Sequence, residues 1–200
     1  TKAQIFEWAK SMSGNVTGRA ISTDANGNCY VTGFFYGTAT FGTTEITSSS
    51  EMYEDIFIAK YDPNGNFQWV KKAGGTSDDY GNGISTDANG NCYISGYFNG
   101  TATFGTTQIT SSGGYDIFTA KYDANGNFLW VQKAGGTNVD RGEAISTDAN
   151  GNCYVTGCCG GTATFGSTQI TSSGSYDIFI AKYDASGNFK GVQKAGGTDD

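Results

Sequence analysis

Histidine is absent from the 200 residues, and its absence removes several kinds of chemistry at once. Histidine is the commonest general base, the usual partner of a nucleophilic serine or cysteine, and the commonest zinc ligand. An enzyme that works with carboxylates, tyrosine or lysine remains an alternative. The sequence nevertheless indicates a protein that is not an enzyme, and we predict no catalytic residues and no metal ligands.

Positive charge and long apolar segments are also scarce. The chain has 12 Lys and Arg against 19 Asp and Glu, which gives a formal net charge of −7. Because this charge repels a phosphate backbone and no basic cluster is present, a nucleic-acid partner is not expected. No apolar run reaches the roughly 18 residues that span a bilayer, so we expect no membrane insertion. The chain opens TKAQIF, and we interpret it as a mature fragment without its signal peptide.

Glycine and aromatic residues, in contrast, are abundant. The chain has 31 glycines, and Phe, Trp and Tyr make up 14% of its residues. A disordered chain would be poor in aromatic and β-branched residues. Short strands joined by Gly and Asn turns explain this composition better, and the length suffices for one domain with its own core.

The chain consists of a unit of about 61 residues that is repeated three times. The decapeptide ISTDANGNCY begins at Ile21, Ile84 and Ile145. A tryptophan recurs every 61 residues, at Trp8, Trp69 and Trp130. We divide the single domain, 1–200, into repeats of about 1–61, 62–122 and 123–183, with a partial fourth repeat at 184–200.

Each repeat contains two turn sequences of the form Asp-x-x-Gly-Asn, flanked by strand-like runs. One set starts at Asp24, Asp87 and Asp148, and the other at Asp62, Asp123 and Asp184. The Asp side chain can accept a hydrogen bond from the backbone two residues on, and Asn-Gly tolerates a left-handed backbone. Two hairpins per repeat predict four antiparallel core strands. The remaining segment, TATFGTTQIT, is interpreted as a further pair of short strands or a decorated loop.

The predicted strands are apolar on both faces. In IFIAKY, Ile56 and Ile58 point to one face, and Phe57 and Tyr61 point to the other. A sheet with one wet face alternates apolar and polar residues instead. Small sheets sandwiched between neighbours fit this pattern, so we predict an all-β, β-propeller-like tandem repeat.

The string DIFIAKYDPNGNFQWVKKAGGTSDDYGNGISTDANGNCYISG resembles the bacterial β-propeller repeat called SBBP. The matching features are the DIF-x-AKYD strand, the D-x-x-GN turns, the GG-T-x-x-D loop and the GN-x-Y-[VI]-[TS]-G strand, and they recur through nearly the whole chain. The resemblance implies a secreted or cell-surface bacterial protein with a role in scaffolding, adhesion or binding. It departs from the family pattern at three cysteines, Cys29, Cys92 and Cys153.

Those cysteines occupy equivalent positions in separate repeats, which are too far apart for disulfides. We interpret them as small buried hydrophobes. Together with Trp8, Trp69 and Trp130 they form the predicted structural core of the repeats. Sugar-stacking platforms are the alternative interpretation of the aromatic residues.

The acidic loops that follow the glycine pairs carry the candidate ligand-binding residues, which are Asp78, Asp79, Tyr80, Asp140 and Arg141. We interpret these loops as solvated surface, with Ca²⁺ binding as the alternative. The turns also resemble the start of a calcium loop, but no acidic residue stands at its twelfth position. We therefore predict no cofactor and keep calcium as an alternative.

These features predict a non-catalytic extracellular scaffold or assembly module, a structural protein of a cell surface or filament. The alternative is a carbohydrate-binding adhesion module with one site per blade, whose partner is a glycan or a surface protein. Three to three and a half blades do not close a usual ring of about four to eight. We therefore expect self-association, or further blades of a longer parent chain, to produce a ring, a domain-swapped pair or a filament.

Overall fold

The computed structural model describes residues 8–198, which form 17 β-strands and no helix. The strands are β1 (Ser13–Thr23), β2 (Cys29–Phe41), β3 (Thr44–Thr47), β4 (Asp55–Tyr61), β5 (Phe67–Gly75), β6 (Asp79–Thr86), β7 (Cys92–Phe98), β8 (Thr101–Phe104), β9 (Thr107–Thr110), β10 (Asp116–Tyr122), β11 (Phe128–Gly136), β12 (Asp140–Thr147), β13 (Cys153–Cys159), β14 (Thr162–Phe165), β15 (Thr168–Thr171), β16 (Asp177–Tyr183) and β17 (Phe189–Ala195). Between residues 8 and 198 there is accordingly no helix that could cross a membrane.

The strands form three antiparallel sheets with the same four-stranded core. The core order is β1-β2-β4-β5 in the first sheet, β6-β7-β10-β11 in the second and β12-β13-β16-β17 in the third. We call these cores blades 1, 2 and 3. The prediction of an all-β tandem repeat with four antiparallel core strands is confirmed. The division of the chain into sequence repeats stays a prediction, and each blade takes its outer strand from the start of the next sequence repeat.

The Asp-x-x-Gly-Asn turns have the chemistry that their residues predict. In the first turn, Asp24 Oδ1 accepts hydrogen bonds from the backbone amides of Asn26 and Asn28, both at 2.9 Å. Its Oδ2 accepts a third from the Asn28 side chain at 2.8 Å. Gly27 has φ +78°, a backbone conformation that favours glycine. The aspartate thus satisfies the amides of a tight turn and sets the register of the hairpin between β1 and β2.

The TATFGTTQIT segments form short hairpins, which resolves the two alternatives in favour of strands. The hairpin β8–β9 belongs to the second sequence repeat but pairs with β5, the outer strand of blade 1, through Gly74 opposite Thr103 and Gly75 opposite Ala102. The hairpin β14–β15 pairs with β11 of blade 2 in the same way. Each hairpin therefore ties one blade to the blade before it.

Successive blades stack through the apolar faces of their strands. Tyr30, Ile56 and Ile58 of blade 1 share one buried cluster with Cys92 and Ile94 of blade 2. The inner strands also meet, since the Ser22 and Thr86 hydroxyls lie 3.0 Å apart. The equivalent cluster joins blade 2 to blade 3. Within residues 8–198 the three blades do not close into a ring.

Candidate functional site

Two of the predicted ligand-binding residues lie in the interior of the protein. Asp79 and Asp140 are 0% exposed, so their interpretation as solvated surface is wrong. Each carboxylate accepts a hydrogen bond at 2.7 Å from a backbone amide at the end of the preceding outer strand, Gly75 for Asp79 and Gly136 for Asp140. The loop folds back so that its aspartate caps that strand, and this buries the side chain between two blades.

The other three predicted residues come together with two tyrosines that sequence reasoning missed. Tyr80, Tyr97 and Tyr115 form what we call the tyrosine cluster, with ring centroids 4.9 Å apart for Tyr80 and Tyr97 and 5.2 Å apart for Tyr97 and Tyr115. The Tyr115 hydroxyl donates to Asp78 Oδ2 at 3.2 Å. The Arg141 guanidinium lies 5.5 Å from the Tyr97 ring centroid. Aromatic rings, a carboxylate and a guanidinium thus share one partly exposed surface at the end of the inner strands.

The phenols of the tyrosine cluster remain protonated near neutral pH. Burial, together with the negative charge of Asp78, raises the pKa of Tyr115 to about 12. Burial and the charges of Asp78 and Glu54 also raise the pKa of Tyr80. The cluster therefore offers hydroxyl donors beside carboxylate acceptors, a combination that can hydrogen-bond a hydroxylated ligand.

The tyrosine cluster does not recur from blade to blade. The position of Tyr97 is Phe34 in blade 1 and Cys158 in blade 3, and the position of Tyr115 is Glu54 in blade 1. Variation at these positions, within repeats that are otherwise nearly identical, was the available signal in the sequence. This variation did not predict a site, because each of these positions by itself looks like part of a strand or loop.

Two of the clefts in the structure are equivalent to each other. The first has a volume of about 470 Å³ and the second about 550 Å³. The first is lined by Ser49, Lys72, Thr101, Thr103 and Gln108, and the second by Ser112, Lys133, Thr162, Thr164 and Gln169. Hydroxyl, amide and ammonium groups are present in both linings, and no aromatic ring contributes to either. These clefts can hydrogen-bond a polar ligand but offer no stacking platform.

The tryptophans connect successive repeats. Trp69 is partly buried, and its indole Nε1 donates to the backbone oxygen of Ala124 at 3.2 Å. Trp130 makes the same bond to Ala185, and Trp8 donates to Pro63 at 3.0 Å. Trp69 and Trp130 therefore each fasten an outer strand onto a turn of the next blade, and Trp8, which precedes β1, binds the corresponding turn of blade 1.

The five cysteines are all free thiols, but their burial differs. Cys92 and Cys153 are 0% exposed, whereas Cys29 is partly exposed, which corrects the expectation that all three are buried. Cys92 and Cys153 face the blade before their own, and in the described part of the chain blade 1 has no complete blade before it. The burial of these cysteines therefore depends on stacking.

Metal-binding chemistry finds little support in the arrangement of side chains. Across residues 8–198, no group of three or more Cys, Asp or Glu side chains is placed to hold a metal ion. The turn aspartates already accept backbone amides, as at Asp62, whose Oδ1 receives the amides of Asn64 and Asn66. Calcium binding at Asp78, Asp79 or Asp140 thus stays an untested alternative.

Blade 3 exposes apolar residues whose equivalents are buried in blades 1 and 2. Ile178 and Ile180 are 57% and 55% exposed, against 0% and 1% for Ile56 and Ile58. With Tyr154 they form what we call the trailing face. On the opposite side, Ile21 of blade 1 is 64% exposed, and Cys29 and Val31 beside it are partly exposed. We call Ile21, Cys29 and Val31 the leading face.

Stacked four-stranded blades joined by outer hairpins define a β-propeller repeat protein. Residues 68–101 match the family model for the SBBP β-propeller repeat. This match confirms the resemblance to the SBBP-type repeat, and the unit that carries it recurs along the chain.

Two curated proteins are similar to this chain over much of its length. The "Uncharacterized WD repeat-containing protein L264" of Acanthamoeba polyphaga mimivirus is 31% identical over 147 residues, which cover 64% of this chain and 10% of that protein. The "Regulatory protein FlaEY" of Caulobacter vibrioides is 26% identical over 187 residues, which cover 90% of this chain and 19% of that protein. The chain thus spans a tenth to a fifth of the length of these relatives.

Proposed function

We propose that this chain is a non-catalytic structural module, secreted or displayed at the cell surface, whose blades stack end to end on a second copy or on further blades of a longer chain. The observation that carries the proposal is the exposure of the trailing face on blade 3. Three large apolar side chains, Tyr154, Ile178 and Ile180, are open to solvent there. Contiguous exposed apolar surface of this kind marks an interaction site.

The internal blade interfaces show what fits this surface. In blades 1 and 2, the residues equivalent to Tyr154, Ile178 and Ile180 are buried against the next blade. The residues of that next blade that bury them are equivalent to the leading face. A second copy of the chain carries that leading face on its own blade 1. The trailing face of one copy and the leading face of another are therefore complementary by construction, and contact between them is head to tail.

The segment that carries Trp8 indicates how such a contact is completed. Because Trp8 binds Pro63 as Trp69 binds Ala124, this segment lies where the outer strand of a preceding blade would lie. In a head-to-tail stack, it competes for that place with β17 of the other copy. β17 has Gly191 at the tryptophan position, with no atom within 4 Å of where a Cβ would stand. If the Trp8 segment replaces β17 of the other copy at this place, the interface gains a tryptophan hydrogen bond that β17 cannot make.

Two single-face variants test the assembly. Ile180→Lys blocks the trailing face and Ile21→Lys blocks the leading face, and neither change disturbs packing because both side chains are more than half exposed. Wild-type protein is expected to form dimers or larger species at micromolar concentration, whereas each variant alone is expected to stay monomeric. Mixed together, the two variants retain one good face each and should form a heterodimer that grows no further. Analytical ultracentrifugation measures all four samples.

The control for this experiment is Met52→Lys, which adds the same charge at an 80% exposed side chain outside both faces. It should assemble like the wild type. A strictly monomeric wild type, or a mixture of the two variants without heterodimer, would contradict the proposal.

Carbohydrate binding is the second candidate function, and the tyrosine cluster favours it. Partly exposed rings beside Asp78 and Arg141 supply the stacking surface and polar partners that sugars use. A glycan array with wild type and Tyr97→Ala separates the candidates. If the wild type binds a glycan and Tyr97→Ala does not, the site lies at the tyrosine cluster, and the three blades together carry one site. Binding that persists at two sites per chain points to the polar clefts, and no binding leaves only the structural role.

A further inference from the structure

Two aspartates from different blades meet inside the joint between blades 1 and 2. Asp55 begins β4 of blade 1, Asp79 begins β6 of blade 2, and both are 0% exposed. Asp55 Oδ1 and Asp79 Oδ2 lie 2.5 Å and 2.9 Å from the point where a Cβ on Gly74 would stand. Gly74 itself has φ +141°. A glycine in a backbone conformation closed to most residues therefore leaves room for two carboxyl groups side by side.

Hydrogen bonds satisfy only part of this pair. Asp55 Oδ2 accepts the backbone amide and hydroxyl of Ser49 at 2.7 and 2.9 Å, and Asp79 Oδ2 accepts the Gly75 amide at 2.7 Å. Among the described residues, the remaining oxygens, Asp55 Oδ1 and Asp79 Oδ1, have no hydrogen-bond partner although both are buried. A buried carboxylate oxygen without a partner is costly, and protonation of one carboxyl group lowers that cost.

The charges around the pair also leave one negative charge unbalanced. The nearest cation, Lys72 Nζ, lies 3.4 Å from Asp55 Oδ2, and its side chain is 39% exposed. The other charged groups facing the joint, Asp78 and Glu54, are acidic and add to the repulsion. Burial, reinforced by the charge of Asp55, raises the pKa of Asp79 to about 8.

We propose that Asp55 and Asp79 hold one proton between them at neutral pH and that this proton locks blade 1 to blade 2. The proton resides on the Asp79 carboxyl group, and above neutral pH it leaves to solvent, so that two carboxylates then face each other. The repulsion acts directly on the joint, because the Asp79 backbone amide donates to Glu54 O of blade 1 at 2.8 Å and the Gly75 amide binds the Asp79 side chain. Release of the proton therefore loosens the stack.

The equivalent joint between blades 2 and 3 is tuned differently. Asp116 and Asp140 repeat the arrangement, and Asp140 Oδ1 accepts the amide of Gly160 at 3.1 Å, as the equivalent amide of Asn99 faces Asp79. Burial raises the pKa of Asp140, whereas the bond from Gly160 favours the ionised form and lowers it. The resulting pKa of Asp140 is about 6. We therefore expect Asp140 to lose its proton at a lower pH than Asp79.

Blade 1, which has no complete blade before it in the described residues, carries Val16 at the position of Asp79. Val16 pairs with Phe35 in the register in which Asp79 pairs with Phe98. An apolar residue thus occupies the same place in blade 1. Among the described residues, the aspartate therefore stands only where a blade meets a complete blade before it.

The direction of the pH effect follows from linkage. The folded state binds the Asp79 proton more tightly than the unfolded chain, where the carboxyl group has its ordinary pKa of 3.8. The resulting stabilisation is complete below about pH 4 and is lost as the pH rises through about 8. The folding equilibrium constant of the wild type, divided by that of Asp79→Asn, should fall by up to about tenfold per pH unit between pH 5 and pH 8.

The decisive measurement is a ¹³C NMR titration of the aspartate carboxyl groups in the wild-type protein, with Asp79 assigned from its absence in Asp79→Asn. We expect the Asp79 signal to titrate near pH 8, together with faster exchange of the Gly75 amide above that pH. Asp78→Asn, a change at the adjacent, partly exposed carboxylate, is the matched control and should retain the titration. Ionisation of Asp79 with a midpoint below pH 7 would overturn the proposal. So would a Ca²⁺-induced rise in Tm that disappears in Asp79→Asn, because the pair would then be a cation site.

Discussion

Tyr93 and Tyr154 occupy the same position in consecutive repeats but lie in different surroundings. Tyr93 is 0% exposed, and its hydroxyl donates to Gly151 O at 2.9 Å and to Asp87 Oδ2 at 3.2 Å. Tyr154 is 37% exposed, and its hydroxyl is 3.5 Å from Asp148. The local sequences are nearly identical, so the difference comes from the following blade, which covers Tyr93 and leaves Tyr154 open. At the residue scale, the stacking of blades therefore determines how much a tyrosine hydroxyl contributes to the free energy of unfolding.

This pair of tyrosines supplies a matched test. Tyr93→Phe should lower the free energy of unfolding by about 1–2 kcal/mol, because it leaves buried acceptors on Gly151 and Asp87 without their donor. Tyr154→Phe should change it by less than about 0.5 kcal/mol, since water replaces the lost bond. Urea unfolding of the two variants beside wild type measures both values. Equal losses in the two variants would contradict this account of the blade interface.

At the element scale, the outer hairpins depend on close approach of two backbones. β8 reaches β5 through Gly74 and Gly75, and a Cβ on Gly75 would overlap the backbone oxygen of Thr101. The hairpin carries Phe104, whose ring lies 4.8 Å from Phe118 in the core of blade 2. A side chain at Gly75 therefore separates the hairpin from blade 1 while the hairpin remains held by blade 2.

Gly75→Ala tests this attachment. We expect a loss of about 3 kcal/mol in the free energy of unfolding, since a backbone clash cannot be relieved by rotating a side chain. Gly191→Ala is the control, because no atom lies within 4 Å of its Cβ position. The control should be neutral or stabilising by up to about 1 kcal/mol, as alanine restricts the unfolded chain. Thermal and urea unfolding compare the two, and a tolerated Gly75→Ala would show that the hairpin contributes little.

At the scale of the whole molecule, stability should follow the number of neighbours that each blade has. Repeat proteins gain stability from each blade and from each interface between neighbouring blades. Blade 2 is covered on both faces, whereas the trailing face of blade 3 is open. The strands β10 and β16, DIFTAKY and DIFIAKY, differ at one residue. A difference between their stabilities therefore reports on stacking and on the outer strand, where β17 has Gly191 in place of Trp130.

Hydrogen exchange measures this difference directly. At low protein concentration, amides of β10 should exchange at least about tenfold more slowly than the equivalent amides of β16, which open with blade 3 alone. At high concentration, protection of β16 should rise if a second copy covers the trailing face. Equal protection of the two strands in dilute protein would mean that the blades unfold as a single cooperative unit.

The sequence by itself determined the features that depend on neighbouring residues. The Asp-x-x-Gly-Asn turns follow from side-chain bonds to amides two and four residues away, as at Asp24. Successive side chains of a strand point to opposite faces, so Ile56 and Phe57 make both faces of their strand apolar. Stacked sheets bury both faces. The repeat and its resemblance to the SBBP unit likewise follow from the sequence alone.

Only the tertiary structure decided which of the acidic and aromatic residues meet. Asp79 looked solvated because its loop is polar, yet folding the loop back onto Gly75 buries it beside Asp55, 24 positions earlier. The tyrosine cluster likewise joins β6, β7 and the loop before β10, which are distant in the sequence, and Cys29 differs from Cys92 only through the blade beside it. Distances between blades arise from the stacking of whole sheets. A local pattern of residues carries no information about them.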